Sequence, residues 1–155
     1  MRHCTPNLTQ LWIPPGPEGT RRTLEVMRNL ARRDAGTPEV QFAAMGVSDP
    51  IGLEAWLRRV WRIVDDPTTA EFVRSPQFQL RCGRFEGDCD DAATLAASIL
   101  HALMIPCQLV AIRQAGESDF SHVFVHVPRY QLIIDPIIPA ELLPPRFQEA
   151  LTLDV

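Results

Sequence analysis

The sequence predicts an α+β fold in which helices come first and an antiparallel sheet follows. Three observations carry this. Apolar residues recur at helical spacing in successive segments between Thr20 and Met104, the period changes to two after Pro106, and the β-rich runs from Cys107 to Asp135 are joined by short turns.

From Thr20, the residues Leu24, Met27, Leu30 and Ala31 mark one face of a helix ending near Gly36. Thr37-Pro38-Glu39 starts a second, with Thr at the N-cap and Pro at the first helical position. Asp49-Pro50 repeats that signal, and Leu53, Trp56, Leu57, Val60, Trp61 and Val64 follow on one stripe until Asp65-Asp66-Pro67 stops it. Tryptophans at helical spacing are read as core. Residues 66–87 show no sustained period and read as an irregular loop of functional length. Asp88 then caps a helix from Cys89 to about Met104, whose buried stripe is Ala92, Leu95, Ala96, Ile99, Leu100 and Leu103. Asp91, three residues after the cap, approximates a capping box. Strands are expected over residues 107–113, 120–127 and 132–135, and only short helical turns beyond Pro136. Pro6, Pro14, Pro15 and Pro17 make residues 1–19 an extended arm, leaving 20–155 as one domain.

The chain has 155 residues, 46% of them hydrophobic and 22% charged, enough to bury roughly two-thirds of the unfolded surface. A net charge of -4 argues against nucleic acid as a partner, because phosphate binding needs a basic surface. All 15 basic residues are Arg, so self-cross-linking through lysine is excluded. The first residues lack a signal peptide's apolar run, and no apolar stretch reaches about 18 residues, so no membrane partner is expected. Cys4, Cys82, Cys89 and Cys107 show neither CxxC nor zinc spacing and read as reduced thiols of a cytoplasmic protein.

The residues able to carry chemistry are Cys89, His122 and Asp135. A thiol at the first position of a helix sits among unpaired backbone N–H groups that favour a thiolate. Asp88, Asp90 and Asp91 act against it unless an imidazolium outweighs them. In the strand 120–127, His122, Phe124 and His126 share one face. A four-residue hairpin places His126 opposite Gln131 and His122 opposite Asp135, and a slip of two still leaves His122 and Asp135 as neighbours. A thiol needs such a carboxylate-oriented imidazole as its base. Taken singly, each residue has a bland reading: a structural Cys, a satisfied strand His, an Asp ending a strand before Pro. Their order along the chain gives them meaning. His126 is the rival base, and His101 lies three turns too far along the Cys89 helix. Cys82, seven residues before Cys89, could form a reversible disulfide with it. A zinc site using Cys89, His122 and nearby Asp residues is a third option.

Gly87-Asp88-Cys89-Asp90-Asp91, Ile105-Pro106, Ser121-His122-Val123-Phe124 and Ile134-Asp135-Pro136 resemble the core of the transglutaminase-like (papain-like) superfamily. Val64-Asp65-Asp66-Pro67, Glu71 to Pro76 and Leu80 resemble its stand-alone bacteriophage and prophage members, so the likeness covers about residues 50–137. The resemblance implies a papain-like fold with the Cys-bearing helix packed on the sheet, and a Cys89–His122–Asp135 acyl-transfer mechanism on a protein or peptide substrate. It implies no cofactor and no metal. The Cys89 N–H would supply part of an oxyanion hole, completed by Gln79 or Gln77 in the preceding loop. Many relatives carry Trp two residues after the His, where this chain has Phe124. The alternative expectation is a virion or assembly protein, with phage structural proteins as partners, that uses the fold as a binding module.

Overall fold

The computed structural model describes residues 8–11, 14, 16–66 and 71–155, and within them the fold is α+β. The elements run β1 (Leu8–Leu11), α1 (Pro17–Ala35), α2 (Pro38–Val47), α3 (Pro50–Val60), β2 (Arg62–Ile63), β3 (Glu71–Arg74), α4 (Pro76–Cys82), β4 (Glu86–Gly87), α5 (Cys89–Ala102), β5 (Gln108–Arg113), β6 (His122–Val127), β7 (Leu132–Ile134) and β8 (Glu149–Asp154).

Four helices carry Pro at their first turn, where the missing N–H costs nothing and the fixed φ suits the helix. α1 therefore begins at Pro17, inside the stretch expected to be an extended arm. Asp49 caps α3 by accepting the Gly52 N–H at 2.7 Å, and Asp88 caps α5 by accepting from Asp90 and Asp91 at 3.1 and 3.4 Å. The expected capping box at Asp91 does not form, because its carboxylate pairs with Arg74 instead.

α3 ends sooner than its apolar stripe suggests. Trp61 is extended, and the Arg62 and Val64 N–H groups donate to Phe85 and Gly87, so strand pairing with β4 takes these residues out of the helix. The stretch 66–87 is likewise more ordered than the expected irregular loop. β3 pairs antiparallel with β1, and Ser75-Pro76 starts α4, the Ser75 hydroxyl accepting the Phe78 N–H at 3.3 Å.

The main sheet is antiparallel in the order β7-β6-β5-β8. Of the short helical turns expected beyond Pro136, one forms over Ala140–Leu142, and β8 takes the place of the later one. Leu151 and Leu153 alternate with outward residues on an edge strand, which short turns could not bury together. α5 is buried on all sides from Asp91 to Leu100, a central helix packed by α1, α2 and the sheet rather than one with a single buried stripe. Leu24, Met27, Leu53, Leu57, Leu95, Ile99, Leu109 and Val125 belong to the surrounding core. Among the described residues, no helix is long and apolar enough to cross a membrane.

Candidate active site

Cys89 opens α5 directly after its cap, at the end facing the start of β6. The helix is fixed there from two directions: the Trp61 indole N–H donates to the Gly87 carbonyl at 3.2 Å, and Arg74 pairs with the buried Asp91. The thiol is half-buried. It donates to Asp90 Oδ1 at 3.7 Å and accepts from the Val123 N–H, one residue beyond His122.

His122 and Asp135 are both buried and meet at 2.6 Å between Nε2 and Oδ2. The register of β6 and β7 is shifted by two from the four-residue hairpin: His126 faces Ile133, because Pro128–Tyr130 form a 3-10 turn before Gln131 takes a left-handed conformation. That slip keeps His122 and Asp135 on one face. Asp135 Oδ1 accepts the Ile137 and Ile138 N–H groups at 3.0 and 3.1 Å, so Oδ2 is the oxygen left for the imidazole. Phe124 walls the pair, its ring centroid 6.4 Å from that of His122. His126 is engaged elsewhere, its Nδ1 3.2 Å from Gln108 Oε1, and His101 is exposed on the last turn of α5. With Nε2 on Asp135, Nδ1 is the ring nitrogen free to act as a base.

The electrostatics oppose a free thiolate. Burial pushes the Cys89 thiol well above its ordinary range, Asp90, Asp88 and Asp135 push the same way, and the Val123 N–H pulls back. Burial, with Asp66 and Glu71 nearby, also raises Asp88 to about 6, against the pull of the Asp91 and Asp90 amides. Asp91 rises to about 7 because burial outweighs the Arg74 amide and guanidinium. Carboxylate oxygens of Asp66, Glu71 and Asp88 lie within 4.8 Å of one another. Among the described residues this is the group of three that could hold a cation, and it includes neither Cys89 nor His122, the pair named for a zinc site.

Gln77 and Gln79 lie on α4 rather than in a loop. The Gln77 amide is committed to Glu39 at 3.1 Å. Gln79 is fully buried, and neither polar atom of its amide has a partner among the described residues. Cys82 is disulfide-bonded while Cys89 and Cys107 are free thiols; Cys4 lies outside the described residues. The expectation of four reduced thiols is thereby corrected, together with the suggested Cys82–Cys89 bridge. Cysteine spacing along a chain does not report pairing in space.

The sequence points to the three chemical groups but not to the supports behind them, Arg74 and Trp61. A buried Asp at the third position of a helix calls for a cation, and the Arg74-Ser75-Pro76 helix start is the signal that could locate it. No family model, no curated protein and no solved structure matches the chain.

Proposed function

We propose that the chain is a cysteine-dependent amide hydrolase or acyltransferase acting on a protein or peptide, as its resemblance to transglutaminase-like enzymes implies. The observation that carries this reading is the buried His122–Asp135 contact at 2.6 Å, one residue from the backbone amide that meets the Cys89 thiol.

In this reading the thiol turns from Asp90 to His122 Nδ1 and gives up its proton there, and Asp135 supports the imidazolium that forms. That cation offsets the three carboxylates that otherwise keep the thiol protonated. The sulfur attacks the amide carbonyl carbon, and the oxyanion meets the Cys89 N–H, which has no partner within the helix. The C–N bond breaks as His122 returns the proton to the leaving amine, and water or a second amine resolves the thioester. Gln79 is the residue with an unengaged amide for a second oxyanion donor, and Gln77 is not.

One observation favours the other reading, a virion or assembly module: the thiol is bonded to Asp90 rather than to the imidazole. The test is turnover of a mixed peptide-amide pool, with mass spectrometry of the denatured protein for an acyl adduct. The enzyme reading predicts cleavage or amine exchange, an adduct on Cys89, and loss of both in Cys89→Ala. Turnover that survives Cys89→Ala overturns the cysteine mechanism, and none in the wild type favours the module.

A further inference from the structure

α3 supplies neither nucleophile nor base, yet it holds both backbone polar groups of Asp135. The Asp135 N–H donates to Glu54 Oε2 at 3.0 Å, and the Asp135 carbonyl accepts from Arg58 Nη2 at 2.5 Å. The same guanidinium donates to Glu54 Oε1 from Nε and Nη2 at 2.9 and 2.5 Å, and its Nη1 donates to the Ile138 carbonyl at 2.8 Å. Glu54 and Arg58 stand four residues apart on one helix face, with the acid on the N-terminal side, the better orientation for such a pair.

The position of Asp135 explains why such a clamp is needed. β7 ends at Ile134, so the Asp135 N–H has left the sheet ladder, and Asp135 is 2% exposed, which keeps water from satisfying it. The side chain is then oriented by a short turn: Oδ1 takes the Ile137 and Ile138 amides, and Arg58 holds the far end of that turn at Ile138. The direction of Oδ2, and hence the hold on His122 Nε2, follows from these contacts.

We propose that Glu54 and Arg58 are a positioning pair for the carboxylate that orients His122: they fix the Asp135 backbone so that Oδ2 keeps the proton of His122 on Nε2 and leaves Nδ1 toward the thiol. This rests on the reading of His122 as the base of the site and Asp135 as its orienter. The guanidinium reaches two carbonyls and one carboxylate from a rigid plane, which a lysine ammonium cannot reproduce.

The test reads the His122 ring by NMR in the full chain labelled at the imidazole nitrogens, in the wild type, Arg58→Ala, Arg58→Lys and Glu54→Gln. His126 is the internal control, because it lies on the same strand and is held by Gln108 rather than through Asp135. The wild type should show a strongly deshielded proton on His122 Nε2. Arg58→Ala should lose that signal with His126 unmoved, Arg58→Lys should recover it only in part, and Glu54→Gln, which keeps an acceptor for the Asp135 amide, should show an intermediate loss. In the peptide assay kcat should fall about 10²-fold in Arg58→Ala, the scale set by roughly 1 Å of misplacement, with KM held. An unchanged Nε2 proton in a folded variant overturns the proposal, and so does a loss matched by equal change at His126, which signals general loosening. Should Arg58→Ala not fold, Glu54→Gln and Arg58→Lys decide the question by the same signals. A His122 signal that responds as stated in a chain without turnover upholds the clamp and counts against the enzyme reading alone.

Discussion

Asp135→Asn is expected to leave the fold standing and to lower peptide turnover by about 10⁴-fold, the loss typical when a triad imidazole is held in the wrong tautomer. The reason lies in the two oxygens. Oδ1 accepts two backbone N–H groups, from Ile137 and Ile138, so an asparagine must keep its carbonyl there and turn its NH₂ toward His122 Nε2. Two donors then face each other, and the imidazole relieves this by moving its proton to Nδ1, the nitrogen needed as a base. Flipping the amide would set its NH₂ against two backbone donors, a worse exchange. Steady-state turnover beside a thermal melt checks this. Asparagine supporting near wild-type turnover would mean that Asp135 does not set the state of His122.

Gly87→Ala is expected to destabilise the protein by about 3 kcal/mol or more, combining backbone strain with overpacking. Gly87 has φ +151°, and a Cβ built there overlaps Asp91 Oδ2 and lies 2.6 Å from Arg74 Nη1 and 2.7 Å from Asp91 Cβ. The methyl group would part the ion pair that keeps the Asp91 carboxylate, and with it the first turn of α5, in place. Gly116→Ala is the control: its φ of +87° is strained, but a Cβ there meets nothing within 4 Å. Chemical denaturation should place Gly87→Ala well below Gly116→Ala. Equal losses would mean that strain alone acts and that the Arg74–Asp91 pair has room to yield.

What is legible in the sequence is whatever is local. Pro at a first turn, Asp at a cap and the change of period after Pro106 are decided within a few residues, so the starts of α2, α3 and α5 and the strands β5 to β7 can be read directly. α4 carries a similar Ser-Pro start, but the aperiodic residues around it mask the helix. β8 is hidden among prolines, although Ala150-Leu151-Thr152-Leu153 alternates. The end of α3 is not legible, since it depends on β4, more than twenty residues on. Cys89, His122 and Asp135 stand out because their chemical types are informative, and strand parity survives a register slip of two. Their supports do not stand out. Glu54 meets Asp135 across 81 residues and Arg74 meets Asp91 across 17, and in sequence each is an ordinary surface charge.

The central claim is that Cys89 and His122 act as one unit, and the rate of iodoacetamide alkylation at each cysteine between about pH 5 and 9 tests it most directly, in wild type and His122→Ala. Cys107 is the internal reference, a buried thiol pushed up to about 12 by burial. Burial and the carboxylates alone would also keep Cys89 slow until alkaline pH. If the two act together, Cys89 instead reacts readily below the ordinary thiol range of about 8.5 and loses that reactivity in His122→Ala, because proton transfer to the imidazole offsets those charges. Alkylation of Cys89 that is slow at every pH and indifferent to His122 would contradict the claim, leaving a thiol that belongs to Asp90 and a fold used for binding.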